Sequence, residues 1–429
     1  MIEKYNYIFK EVLSKVKPEK KYVDSFLSEV NRVSSWINVA IRSENIVAEC
    51  SKGGSVAKGT FLKNDHDVDL FVKFSKEYDS KELPDKLAYI MQLVSKKLKF
   101  KYKRVHGSRD YYQFTYRDID FEVVPVLKIF NVADVVNVTD ASPLHVSYLK
   151  KQISKKPKIA DQVRLTKQFC KGIGVYGAES YINGLSGHSI DLLICFYGSF
   201  INFVSSTKYW NDKIVIDVDG KLKDPLKDLN KAKTKSPIIL IDPVDNSRNA
   251  TASLSKEKFE ILKEKAQEFL DNPTIDFFIV KKMDPKKIKD KYKKDWSVFL
   301  KLDPIKDKSK DVQGTAILKA FKFIDKELRK NDFTIIEKGF DFEYMYVIVK
   351  KEELSDYVEI MGPPKIKRNA CKEFIAKHKG RKKIFDKNKR LYLKQKRKYK
   401  KPIPLVEKLI KDPYVTSRVK SIKVLKRVR

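Results

Sequence analysis

Residues 53–74, "GGSVAKGTFLKNDHDVDLFVKF", crowd Asp65, Asp67 and Asp69 together at the edge of an apolar run, shortly after a Gly-Gly-Ser turn. The alternation in "DVDLFVKF" (67–74) predicts a strand, on which Asp67 and Asp69 share one face while Val68 and Leu70 enter the core. "DIDFEVVPVL" (118–127) repeats the arrangement with Asp118, Asp120 and Glu122, and "YYQFTYRD" (111–118) reads as its hairpin partner. If the two acidic strands are neighbours, several carboxylates converge and raise one another's pKa values. A hard divalent cation removes that cost, because Mg²⁺ takes oxygen ligands and leaves room for water and phosphate. Two-metal phosphoryl transfer uses such a cluster. The pattern also suits the solvent face of a sheet, so the preceding turn carries the decision. Gly53-Gly54-Ser55 allows close backbone approach and opens a short helix, with amides and the Ser55 hydroxyl available to phosphate oxygens and Lys58 one helical turn later. Cradle and carboxylates together point to a nucleoside triphosphate site.

The rest of the chain agrees with an anionic partner. Its 91 Lys+Arg against 56 Asp+Glu give a net charge of +35, which makes nucleic acid the leading partner. A hydrophobic content of 42% and an aromatic content of 11% exclude wholesale disorder, and 429 residues suggest two to four domains. The four cysteines form no C-x-x-C pair, which indicates neither a zinc finger nor a disulfide framework. The apolar run "IDLLICFYGSFINFV" (190–204) is shorter than the ~20 residues of a membrane span and carries Asp191, so it reads as one buried core helix. With no evident signal peptide, a cytoplasmic protein with no membrane association is expected.

Periodicity organises the chain into three regions. Residues 1–145 form a small α/β head, with helical patterns on either side of Pro18 and a helix around 83–98. Residues 146–271 are mostly helical and close on "KEKFEILKEKAQEFL", with Ser255 as its N-cap and Phe259, Leu262, Ala266 and Phe269 on one face. Residues 272–429 alternate as a helix-on-sheet module containing "TIDFFIV", "WSVFLKLD", a helix over 313–330, "DFTIIE" and "FEYMYVIVKK", followed after Gly362-Pro363-Pro364 by a basic segment. Phe374, Phe385, Tyr392 and Tyr399 intersperse that segment as in a track for an RNA backbone. "GIGVYG" (172–177) follows a helical pattern rather than a strand, so its glycines read as helix-end residues. His66 reads as a loop residue and Asp65 as a solvated loop carboxylate.

"GSVAKGTFLKNDHDVDLF" resembles the signature of the nucleotidyltransferase β superfamily in the form found in archaeal-type (class I) CCA-adding enzymes. "EVVP" (122–125), "SPLH" (142–145), "QVRLTKQFCKGIGVYGAE" (162–179), "LSG" (185–187), "IDPVDNSRNATASLS" (241–255) and "MGPP" (361–364) resemble further family segments in the same order. The resemblance implies an α+β multidomain fold: a polymerase β-like palm as nucleotidyltransferase head, a helical central domain and an α/β RNA-binding C-terminal region. It implies Asp67, Asp69 and Glu122 as catalytic ligands of two Mg²⁺ ions, with Ser55, Lys58, His145, Lys167 and Tyr176 around the nucleotide and Arg248 near its base. The family commonly has Arg at the position of Lys58 and Asp at that of Glu122, so Asp120 is the alternative third ligand; the Val-Val-Pro register favours Glu122. The implied activity is addition of C, C and A to tRNA 3′ ends from CTP and ATP without a nucleic-acid template. A homodimer stays open. The rivals are a poly(A) polymerase or oligoadenylate synthase with the same head, and a non-catalytic RNA-binding protein.

Overall fold

The computed structural model describes residues 2–63, 65, 67–220, 222–305, 308–379 and 384–425, and the chain divides into two compact units, Met1–Lys281 and Lys282–Arg429. His66 and residues 380–383 of the basic segment lie outside the described residues.

The first unit begins with two amphipathic helices, α1 (Ile2–Val16) and α2 (Lys20–Ser43), on either side of Pro18. Phe26, Val30, Val33, Ile37, Ala40 and Ile41 recur at helical spacing on α2 and are buried together. Next come β1 (Ala48–Lys52), α3 (Gly54–Lys58), β2 (Asp67–Phe74), α4 (Leu83–Leu98), β3 (Tyr102–Val105), β4 (Tyr111–Tyr116) and β5 (Ile119–Leu127). The five strands form one sheet in the order β1-β2-β5-β4-β3. Only the β2–β5 pair is parallel, and the intervening chain with α4 makes that crossover. Val68, Leu70, Val72 and Phe74 of β2 pack with Phe121 and Val123 of β5 beneath α2 and α4. Asp118 does not extend β5: it sits with Arg117 in the β4–β5 turn, both at positive φ (59° and 50°), as a tight hairpin requires.

The chain continues through α5 (Ser142–Lys155), α6 (Ile159–Gly172), α7 (Gly187–Tyr197), α8 (Phe200–Ser206), β6 (Ile214–Asp217), α9 (Pro225–Asp228), β7 (Ile238–Ile241) and α10 (Lys256–Asp271). The single core helix expected over 190–204 is two helices meeting at 91°. Gly198 ends the first in the left-handed region (φ 78°), and the Ser199 hydroxyl accepts from the Asn202 amide to start the second. The bend lets Phe200 and Phe203 enter the core that holds Phe169, Phe259 and Phe269. Ile8 and Val12 of α1 belong to this same core, so the first helix packs on the central helices although its sequence precedes the head. Ser255 caps α10 through the Lys258 amide, and Phe259, Leu262, Ala266 and Phe269 are its buried face. "TIDFFIV" is no strand. Ile275–Phe278 form a turn of 3-10 helix that sends Phe278 into the central core. Among the described residues no single helix is long and apolar enough to cross a membrane.

The second unit contains α11 (Pro285–Lys291), β8 (Trp296–Asp303), α12 (Lys310–Lys330), β9 (Ile335–Phe340), β10 (Tyr344–Val349), β11 (Tyr357–Pro364), α13 (Arg368–Lys377), β12 (Ile384–Lys387), β13 (Arg390–Lys396), α14 (Pro402–Leu409), α15 (Pro413–Thr416) and β14 (Ser421–Val424). One antiparallel sheet runs β14-β8-β10-β9 and packs on α12 through Ile317, Ala320, Phe321, Ile324 and Leu328. A second sheet runs β11-β13-β12. Pro363 and Pro364 end β11, and the pairing with β13 shifts register between Met361 and Pro364. The basic segment is therefore structured, as α13 and the β12–β13 hairpin, on which Phe385 and Tyr392 stack at 5.8 Å between ring centroids.

Candidate active site

The parallel pairing of β2 with β5 sets Asp67 opposite Asp120 and Asp69 opposite Glu122. All four side chains leave the sheet on one face, because the residues between them are core residues. Asp67 and Asp120 are exposed, whereas Asp69 and Glu122 are half-buried. Asp120 accepts from the Thr115 hydroxyl at 2.6 Å, and Glu122 Oε1 accepts from the Gln113 amide at 2.5 Å across the hairpin. Burial pushes the Asp69 carboxyl above the usual carboxylate range; Lys58 opposes that shift, Asp67 reinforces it and Lys167 opposes it. Adjacent all-oxygen donors whose negative charge is offset only in part match a hard divalent cation.

The glycine turn closes over these carboxylates. The Gly53 amide donates to the Asp69 carbonyl at 2.7 Å. Gly54 has φ 52°, and a Cβ there would lie 1.7 Å from Asp69 Oδ2. Position 54 must be glycine for both reasons: left-handed backbone and a carboxylate where a side chain would stand. Ser55 and Lys58 follow on α3, which ends at Gly59.

Lys58 does not point free into solvent. Its Nζ meets Asp191 Oδ2 of α7 at 2.5 Å, with side-chain exposures of 10% and 1%. Lys167, from α6, is buried, and its ammonium donates to the Thr60 carbonyl at 3.2 Å and lies 3.4 Å from the Thr60 hydroxyl. Burial brings the Lys167 pKa down to about 8 against the opposing charge of Asp191. Tyr176 lies beside it: a Cβ on Gly187 would come within 3.3 Å of the Tyr176 hydroxyl and 3.9 Å of Lys167 Cε. Burial pushes the Tyr176 hydroxyl pKa up, and the nearby Asp65 and Asp191 charges add to that. Lys171 stacks its ammonium 5.1 Å from the Tyr176 ring centroid and pairs with Asp65 at 2.5 Å. Asp65 is thus no solvated loop carboxylate.

The remaining expected residues, His145 and Arg248, meet around a carboxylate. His145 Nε2 and His188 Nε2 lie 2.9 Å and 3.0 Å from the same oxygen, Asp242 Oδ2, and Arg248 Nη1 lies 3.4 Å from it. A carboxylate only accepts, so each imidazole presents an Nε2–H to it. Burial works to raise the Asp242 pKa, but the hydrogen bonds and charge of the two histidines hold its carboxyl well below the usual range. His145, His188 and Asp242 lie close enough together to hold a metal ion. However, the Arg248 guanidinium, 3.4 Å from both Asp242 Oδ2 and His145 Nε2, already brings the positive charge a cation would bring. This network anchors Arg248, aided by the Asp242 amide donating to the Arg248 carbonyl at 3.1 Å.

Sequence reasoning named Asp67, Asp69, Glu122, Ser55, Lys58, His145, Lys167, Tyr176 and Arg248. It missed Asp191, His188 and Asp242. His188 and Asp191 stand three positions apart on one face of α7, which joins the lysine group to the histidine group. The signal was a polar residue inside an apolar helix: Asp191 interrupts "SIDLLICFY".

Sheet, glycine turn and paired carboxylates define a nucleotidyltransferase, and known proteins agree. A family model described as "tRNA nucleotidyltransferase, second domain" matches residues 161–279, and "CCA-adding enzyme, C-terminal domain" matches 309–421. "Second Messenger Oligonucleotide or Dinucleotide Synthetase domain" matches 4–143. The CCA-adding enzyme of Methanocaldococcus jannaschii is 30% identical over 414 residues, covering 94% of this chain and 90% of its own. That of Nanoarchaeum equitans is 33% identical over 318 residues, covering 73% and 76%. Among solved structures, Cid1, described for its RNA terminal uridylyl transferase activity, aligns with a TM-score of 0.52 at 14% identity over 66% of this chain and 99% of its own, a likeness of fold alone. The chain belongs to the archaeal-type CCA-adding enzyme family.

Proposed function

We propose that this protein adds C, C and A to the 3′ ends of tRNA from CTP and ATP without a nucleic-acid template. The observation that carries the reading is the register of Asp69 with Glu122 on parallel strands, beneath a glycine turn and beside buried lysines. Membership of the CCA-adding family supports the choice of substrate. Asp67, Asp69 and Glu122 would hold two Mg²⁺ ions, which would supply charge neutralisation at the reacting phosphate and at the attacking 3′-hydroxyl. Glu122 is favoured over Asp120 as third ligand, because it stands opposite the deeper Asp69 while Asp120 is exposed. Lys58, Lys167, Ser55 and Tyr176 bind and orient the triphosphate, so that the 3′ oxygen attacks the α-phosphate in line and pyrophosphate departs from the side of the lysines. His145 and Arg248 face the rest of the nucleotide, and the fork of Arg248 offers donors to a base edge.

The three-part division, catalytic head 1–145, central domain 146–271 and C-terminal body 272–429, is proposed as functional: chemistry in the head, nucleotide contacts shared with the central domain, and RNA backbone binding by the basic C-terminal body.

The test is incubation of the purified protein with Mg²⁺, labelled CTP and ATP, and a tRNA transcript lacking its last three nucleotides, with products sized at single-nucleotide resolution. Growth by three residues that stops and requires both nucleotides is expected. A long A-tail would assign a poly(A) polymerase, and tight tRNA binding without growth would assign a non-catalytic RNA-binding protein.

A further inference from the structure

Asp191 is a buried acid in an apolar helix. It is 1% exposed, and the cations it faces are Lys58 and Lys167, both proposed for the triphosphate. One of its oxygens, Oδ2, binds Lys58 at 2.5 Å. The other, Oδ1, is buried and has no hydrogen-bond partner among the described residues. A buried carboxylate oxygen with no protein partner is costly and is retained only where the surroundings fix it. Here they do. Asp191 stands on α7, between Ile190 and Leu192, whose side chains are themselves buried in the central core.

Lys58 needs such an anchor. It is the last residue of a five-residue helix that ends at a left-handed glycine, so its long side chain has little local structure to hold it. A free lysine loses considerable rotamer freedom on binding a phosphate, and a lysine already fixed by an ion pair has lost most of it beforehand. Asp191 also acts electrostatically on Lys167, which comes from a different helix. A single rigid charge thereby holds the cation carried by α3, while the Thr60 carbonyl holds the one carried by α6.

We infer that Asp191 is a positioning residue that fixes Lys58 for the triphosphate of the incoming nucleotide. This rests on the proposed transferase reading. It acts on the polyphosphate part common to CTP and ATP and not on the base, so both nucleotides should respond alike.

The experiment compares the wild-type full chain with Asp191→Asn and Asp191→Glu in the single-nucleotide addition assay, and measures equilibrium binding of ATP and AMP without RNA. Asp191→Asn should raise KM for CTP and for ATP by about tenfold, the order of one fixed rotamer-rich side chain, with kcat moved far less. Binding of ATP should weaken while binding of AMP is unchanged. Asp191→Glu, which keeps the charge one methylene further out, should fall between the two, and it serves as the test if Asp191→Asn does not fold. In a Lys58→Met background the Asp191→Asn change should add little. An unchanged KM, an equal loss of ATP and AMP binding, or a drop in kcat and melting temperature with KM intact would overturn the inference. Absence of activity in the wild type would instead remove the transferase reading, so the two failures are distinguishable.

Discussion

Two aspartates of the first unit show how differently one side chain can be used. Asp242 is completely buried, yet two imidazoles and a guanidinium share one of its oxygens and the Val244 amide donates to the other at 3.0 Å. Its carboxylate is well supplied with donors, and its carboxyl lies far below the ordinary range. Asp69 is less buried but worse served: burial and Asp67 drive its carboxyl up, and Lys58 and Lys167 compensate only in part. A finished network is a structural anchor. An unfinished one marks where a ligand from outside completes the charge.

The sharpest way to break this comparison is to delete both carboxylates in turn. Asp69→Ala should lower nucleotide addition by about a thousandfold or more, the scale of losing a group that stabilises transition-state charge, while leaving the melting temperature and tRNA affinity near wild type. A destabilised protein with residual activity would make Asp69 another structural acid. Next in size, Glu122→Gln should cost about a hundredfold in rate, whereas Asp120→Asn, an exposed group, should stay within about threefold; the reverse order would transfer the third ligand to Asp120. Asp242→Asn should do the opposite of Asp69→Ala: a loss of about 2–4 kcal/mol in denaturant unfolding, from buried donors left without their acceptor, with weaker discrimination between CTP and ATP as Arg248 loosens.

The smallest effect expected is a pH dependence. Lys167 carries a pKa near 8, depressed by burial, so its ammonium is present below that pH and is lost as pH rises through it. Nucleotide KM should therefore climb by a few-fold between about pH 7 and about pH 9, as one phosphate-facing charge is lost. Lys167→Arg, which stays charged, should flatten that rise.

The head was largely legible because its signals are local. Alternation placed Asp67 and Asp69 on one strand face, the glycines marked the turn, and apolar spacing gave α2 and α4, as it gave α10 with its Ser255 cap in the central region. What escaped depends on partners distant in sequence. Asp191 meets Lys58 across 133 positions and His145 meets Asp242 across nearly a hundred, and no periodicity encodes either meeting. The break at Gly198 was hidden because both halves of the run are apolar, so composition alone continues through a right-angled corner. Pro363 and Pro364 gave no sign of the strand they end, since an edge strand accepts proline where its N–H is not needed.

The turn over the carboxylates has an evolutionary consequence. With a Cβ at position 54 lying 1.7 Å from Asp69 Oδ2, residues 54 and 69 cannot change independently. A lineage that gained a side chain at 54 would have to shorten or turn away residue 69, and one that replaced Asp69 by Glu would meet the glycine backbone instead. Either first step passes through a site whose deepest acid is displaced. Gly54 and Asp69 are in that sense a single inherited character.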